Sequence, residues 1–241
     1  MPTEFDQFSD DYEDLLRDPI RDRFSATGQA FFHRRKVDVL IRFLRDQCLS
    51  PSGLSLLDVG CGQGDFLKLC VPHFQRVAGC DPSEKMTGRS GLAPLVTRLQ
   101  PDPVEIPFDS NEFDVLTVIC VLHHVALDAR DALLVAVHRV LRPGGILCII
   151  EHNPLNPVTR AIVRRTPVDA NARLLLPGLS KELVRRAGFD QVSMRYFLYL
   201  PEKLYNHIGW LERSLDHVPL GGQYATFCRK PPAATGPAGV R

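Results

Sequence analysis

The sequence predicts an α/β protein: a doubly wound, mostly parallel seven-stranded sheet with helices on both faces. Three observations carry that reading. Short apolar runs alternate with amphipathic stretches from residue 54 to residue 150, the pattern of successive βαβ units. Two of the runs, Phe113–Val121 and Ile146–Ile150, are almost continuously apolar, which suits strands covered on both faces. The first run, Leu54–Val59, enters a turn containing Gly60, Gly62 and Gly64, and right-handed crossovers leave few ways to connect such units.

The elements follow in chain order. Residues 1–50 read as an N-terminal helical cap, with Val37, Leu40, Ile41 and Leu44 on one helical face. Ser50-Pro51-Ser52-Gly53 breaks that helix. Leu54–Val59 is the first strand, followed by a helix through Phe66, Leu67 and Leu69. Val77–Asp81 is a second strand ending in an acid, and Ser83 caps a short helix through Met86. Leu95–Leu99 is the third strand and Phe113–Val121 the fourth. A helix with Leu133, Leu134, Val137, Val140 and Leu141 on one stripe comes next. Arg142-Pro143-Gly144-Gly145 stops it, and Ile146–Ile150 is the fifth strand, ending at Glu151-His152.

Beyond Asn153 the pattern changes. The segment 153–179 reads as a helical insert on the substrate side of the sheet. Asn156 as N-cap with Pro157 behind it starts a helix through Val163. Pro177-Gly178 marks a turn, Ser180 is the expected N-cap of the next helix, and Gly188 closes that helix. Val192–Leu200 and Gln223–Arg229 are the last strands, with a helix between them over 204–215. The binding domain is thus expected over 51–230, and the Pro/Gly/Ala-rich 231–241 as a disordered tail.

Composition bounds the function. The 241 residues, 44% hydrophobic and 24% charged, can bury a real core. A formal net charge of +1 supplies no field to draw nucleic acid or an anionic membrane. Seven cysteines at irregular spacing contain no C-x-x-C pair, so neither a disulfide framework nor a zinc site is expected, and a reducing cytoplasmic setting fits best. The acidic opening has no apolar core like that of a signal peptide, and no apolar run approaches the length of a membrane span. No metal is expected.

Asp58-Val59-Gly60-Cys61-Gly62-Gln63-Gly64 is the most informative segment. Glycines let a ligand approach the backbone, and in a doubly wound sheet this turn lies in the switch-point crevice. A glycine-rich turn alone also fits a merely tight turn. Asp81 strengthens it: it ends the next strand, 17 residues beyond Gly64, where a carboxylate can accept both ribose hydroxyls. The spacing is G-x-G-x-G, with Asp58 two residues before the first glycine, rather than the dinucleotide G-x-G-x-x-G; Asp65 stands where its third glycine belongs.

That spacing resembles class I, Rossmann-like S-adenosylmethionine-dependent methyltransferases. The resemblance extends over roughly residues 30–150. It includes Asp81-Pro82-Ser83 with Met86, Asp102 with Ile106-Pro107-Phe108, Phe113-Asp114-Val115, Val121-Leu122-His123-His124 and Leu141-Arg142-Pro143-Gly144-Gly145. It implies a cofactor site for S-adenosyl-L-methionine and its product S-adenosyl-L-homocysteine. Gly60, Cys61, Gly62 and Gly64 would bring backbone to the methionine part, with Asp58 supporting the turn. Asp81 would hold the ribose, Pro82 and Met86 would pack on adenine, and Asp102 would meet the adenine amino group. Cys120 lies in the stretch that would receive the ammonium. Tyr12 would fold over the cofactor. Pro103 departs from the pattern because it has no N–H, so Val104 is the alternative donor.

Methyl transfer from a sulfonium is an in-line displacement in which the protein mainly aligns the acceptor. A base is needed only where the acceptor must lose a proton. His123 and His124 follow the fourth strand and His152 the fifth, all over the crevice. His124 and His152 are the catalytic candidates, against a structural alternative in which they bond backbone. The insert carries a local charge excess of +5 between Pro154 and Ala187, which fits either an anionic acceptor or solvated helix faces. The expected function is methyl transfer to a small-molecule acceptor in a biosynthetic pathway, with O, N and C acceptor atoms all open. The rival readings are an NAD-dependent oxidoreductase and a non-catalytic binding module on the same fold.

Overall fold

A computed structural model of the chain describes residues 6, 11–88, 96–100, 102 and 104–233. Its strands are β1 (Ser55–Val59), β2 (Arg76–Asp81), β3 (Val96–Leu99), β4 (Phe113–Ile119), β5 (Leu141–His152), β6 (Asp190–Phe197) and β7 (Gln223–Arg229). They form one sheet in the order β3-β2-β1-β4-β5-β7-β6. The first five are mutually parallel, and β7 runs antiparallel between β5 and β6. The strand order reverses beside β1, which places a crevice over the carboxyl ends of β1, β2 and β4.

The helices are α1 (Tyr12–Leu15), α2 (Pro19–Phe24), α3 (Gln29–Asp46), α4 (Asp65–Cys70), α5 (Glu84–Gly88), α6 (Arg130–Val140), α7 (Pro157–Val163), α8 (Pro177–Arg186) and α9 (Glu202–Ile208). Strand residues alternate between two core layers, as the period of two requires. Leu56, Val115, Ile146 and Cys148 face α3 and α4, whereas Leu57, Leu116, Leu147 and Ile149 face α6 and α8. The long helix α3 is part of this core: Phe43 stacks on Phe227 of β7 with ring centroids 3.8 Å apart.

Several local expectations hold at residue level. Asn156 accepts from the N–H groups of Val158 and Thr159 at 2.9 and 3.0 Å, and Pro157 opens α7. Ser83 Oγ accepts from Met86 N–H at the start of α5. Others are corrected. Pro177 and Gly178 are the first residues of α8 and Leu176 is its N-cap. Ser180 sits inside the helix, fully buried, with its hydroxyl 2.9 Å from that of Thr226. The proline supplies a preset φ and needs no N–H at the first helical position, so the helix starts four residues early. The helix over 204–215 is instead α9 followed by a 3-10 segment, Gly209–Leu215.

That segment ties the N-terminal helices down. Glu212 accepts from the N–H groups of Tyr199 and Leu200 and pairs with Arg35 of α3, both side chains buried. Glu202 accepts from Ser25 Oγ and from Thr27 N–H and Oγ1. Residues 1–5, 7–10 and 234–241 of the expected cap and tail lie outside the described residues. Among the described residues no helix is long and apolar enough to cross a membrane.

Candidate active site

A cavity of about 390 Å3 opens over the carboxyl ends of β1, β2, β4 and β5, within the usual size of small-molecule sites. One wall is the glycine turn. Gly60 and Cys61 donate to the Cys80 carbonyl at 2.8 and 3.0 Å, which ties the turn to the end of β2. Asp81 Oδ2 then accepts from Gly62 N–H at 2.8 Å, and Oδ1 accepts from Ser83 N–H at 2.9 Å. Burial raises the Asp81 pKa, and those two N–H groups work against the rise. Gly62 has φ +53° and nothing within 4 Å of where a Cβ would stand, so bare backbone faces open space.

Asp58 ends up beneath the turn. It is buried and accepts from Thr117 Oγ1 at 2.6 Å. Burial lifts its pKa to about 7, with the Thr117 hydroxyl and Lys36 opposing. Cys120 takes a left-handed conformation, φ +56°, where β4 leaves the sheet, and this turns the chain along the cavity floor. Tyr12, Asp58, Gly60, Cys61, Gly62, Asp81, Pro82, Met86, Cys120, His124 and His152 all line the same cavity.

Three sequence candidates fall elsewhere. Gly64 does not line the cavity; it is the left-handed N-cap of α4, φ +78°. Asp102 and Val104 also stay off the wall: the exposed Asp102 accepts from Val104 N–H at 2.9 Å. Such an Asx turn spends the N–H that adenine recognition would require. Pro103 lies outside the described residues.

The cavity also holds groups that sequence reasoning missed. His33 and Lys36, one turn apart on α3, line the cavity, and burial followed by the Lys36 charge pushes His33 down to about 3. Their i, i+3 spacing was visible, but nothing local shows that α3 passes the crevice. Asp169, from the insert, stands 3.4 Å from His124 Nε2 and 3.6 Å from His123 Nε2. The fully buried Glu151 holds His123 Nδ1 and accepts from Leu122 N–H at 2.9 Å. Burial opposes a charge on His123, yet Glu151 and Asp169 hold its pKa above the usual histidine range. Burial, then the charge of His123, holds His152 down to about 3. His152 therefore stays neutral and is a weak base, against the role expected for it.

The insert adds the apolar side chains of Val158, Ile162, Val163 and Val168, joined by Leu198 and Leu220, with Asn156, Thr159 and Gln223 as polar groups among them. None of the insert's basic side chains lines the cavity. Arg165 pairs with the buried Asp18 that caps α2, and Arg186 pairs at the surface with Asp131 and Glu182. The charge excess belongs to solvated faces. The seven cysteines are all free.

The fold and the cavity define a doubly wound protein with bare backbone and a buried carboxylate lining the crevice at its switch point. A family model described as a methyltransferase domain matches residues 57–149. A demethylmenaquinone methyltransferase of Symbiobacterium thermophilum is 30% identical over 225 residues, covering 89% of this chain and 82% of that relative. An uncharacterized methyltransferase of Synechocystis sp. is 33% identical over 131 residues, covering 54% of this chain and 58% of that relative. The chain spans about half the length of several other curated relatives it matches. A crystal structure from Thermotoga maritima, described as a S-adenosylmethionine-dependent methyltransferase and possible histamine N-methyltransferase, has the same fold: TM-score 0.65, 18% identity, 94% of this chain and 98% of that one covered. The chain belongs to the class I S-adenosylmethionine-dependent methyltransferase family. That membership sets aside the nicotinamide reading.

Proposed function

We propose that this protein transfers the methyl group of S-adenosylmethionine to a small-molecule acceptor bound on the apolar wall of the cavity. The observation that carries the reading is one shared cavity. The bare backbone of Gly62, with Asp81 beside it, shares it with apolar insert residues and histidines. Asp81, Gly60, Cys61 and Gly62 would hold the ribose and methionine parts, Pro82 and Met86 the adenine, and Asp58 the turn. Cys120 would bound the ammonium end, and Tyr12 of α1 would close over the whole. Gly64 serves by capping α4.

When bound, the cofactor supplies an electrophilic methyl on a sulfonium, with no bond to the protein. The protein's own residues position the acceptor, exclude water and hold a proton. Val158, Ile162 and Val168 provide a dry surface for a flat apolar acceptor. His124, oriented by Asp169, is the group we assign to take the acceptor's proton, and His152 offers a neutral lone pair beside it. The relative named for demethylmenaquinone supports an acceptor of this kind.

A thermal-shift plate with S-adenosylmethionine, S-adenosylhomocysteine and NAD tests the cofactor assignment, because a ligand that binds only the native state raises Tm. Shifts with the first two and none with NAD are expected. No shift with either sulfur ligand would remove the proposal.

A further inference from the structure

We infer that His123, His152 and Asp169 form a binding site for a divalent transition-metal ion, of which zinc is the type, open to the acceptor side of the cavity. Ligand atoms from these three residues all lie within 4.8 Å of one another. They come from separate parts of the chain: the turn after β4, the end of β5, and the 3-10 turn Pro167–Asp169 in the insert. The sequence offered no metal signature because no two of them share a local spacing.

Four observations support the site. First, His123 Nδ1 is held by Glu151, itself fixed by Leu122 N–H. A carboxylate on one ring nitrogen orients the other nitrogen toward a metal. Second, that other nitrogen, Nε2, is buried and has no hydrogen-bond partner. Third, Asp169 Oδ1 lies 3.6 Å from it, beyond a hydrogen bond. Two ligands on one ion, at bonds of about 2.1 Å and tetrahedral angles, stand about 3.4 Å apart. Fourth, His123, His152 and Asp169 all line the open cavity, so an ion has an entry path to them. Three protein ligands with the remaining position toward a cavity is the arrangement of a catalytic rather than a structural zinc site.

The role given to the ion rests on the methyl-transfer reading; the binding site itself does not. An acceptor hydroxyl, phenolic or enolic, would occupy the open position, where the ion makes its proton easier to lose. That proton passes to His124. The acceptor oxygen then forms the O–C bond to the methyl carbon while the C–S bond breaks, its electron pair returning to sulfur as a neutral thioether. The inference thus names the acceptor class as a small apolar molecule bearing an acidic hydroxyl.

The test uses the full chain, free of any affinity tag and stripped of metal with a chelator. Calorimetric titration with Zn2+ is expected to show one equivalent bound with a Kd of about 1 μM or tighter. Co2+ in its place should give visible ligand-field bands without the ultraviolet charge-transfer band of a thiolate. Asp169→Asn and His152→Ala should each weaken Zn2+ binding at least about tenfold. Less than one equivalent at about 100 μM Zn2+, a thiolate band with Co2+, or either variant losing less than tenfold overturns the site. The wild-type stoichiometry and Co2+ spectrum decide the matter if a variant does not fold. S-adenosylhomocysteine affinity of the wild type is measured alongside. Its absence would overturn the cofactor reading and leave the metal site standing.

Discussion

Gly60 and Val121 approach so closely that a Cβ on Gly60 would lie 2.3 Å from Val121 Cγ2. Two glycines apart by one residue therefore have different jobs. Gly60 lines the cavity and also lets the turn pack against Val121 in the loop after β4, whereas Gly62 only leaves the cavity wall bare. The sequence pattern alone assigned both to the ligand.

Gly60→Val should accordingly fail first in folding, losing more than about 2 kcal/mol through collision and a strained positive φ. Gly62→Ala has room for its methyl and costs only about 1–2 kcal/mol of backbone strain, but it places a carbon on the cavity wall. Urea melts and S-adenosylhomocysteine titrations of the two variants separate the effects. Equal stability with equal ligand affinity in both would contradict the division.

Asp81→Ala should weaken S-adenosylmethionine binding by about 1.5–3 kcal/mol, the scale of hydrogen bonds to a charged group. Calorimetry reads this directly. A loss under about 0.5 kcal/mol would return Asp81 to the role it plays with Gly62 and Ser83, that of closing the turn.

Asp58 makes the ligand-free fold sensitive to pH in a defined window. Its pKa rises from 3.8 to about 7 on folding, through burial. Below the lower value both states hold the proton. Between the two, the unfolded carboxyl ionises while the folded one does not, so stability falls as pH rises. Above about 7 the loss is complete and constant, on the order of 4 kcal/mol. Asp58→Asn keeps an acceptor for the Thr117 hydroxyl and should flatten the denaturation midpoint between pH 5 and 7. An unchanged slope would assign the dependence to another group.

Arg35 and Glu212 form a buried pair that locks α3 to the segment after α9. Arg35→Met should destabilise by about 3–5 kcal/mol, because it strands a buried carboxylate. A change under about 1 kcal/mol in a urea titration would show that the backbone N–H groups of Tyr199 and Leu200 suffice to hold Glu212.

His124→Ala should lower kcat by about 100- to 10,000-fold with cofactor affinity unchanged, the range for loss of a general base. Single-turnover rates and a ligand titration give the two numbers. Full turnover in the variant would leave His124 as a packing partner of Asp169.

Local chemistry made much of this protein legible from its sequence. Strand assignments followed from short, nearly continuous apolar runs, helix assignments from the 3.6 period, the Asn156-Pro157 start from capping, and the β1 turn from glycine spacing, all patterns among neighbours in the chain. Ser180 was misread because Pro177, a stronger local signal, opens the helix earlier. Which glycine packs against Val121, why Asp102 and Val104 turn to each other, how His33, Lys36 and Asp169 reach one cavity, and how Glu151 comes to stand behind His123 were decided only by the tertiary structure. Those groups lie far apart along the chain, and the sheet's crossover connections, not any spacing, bring them together.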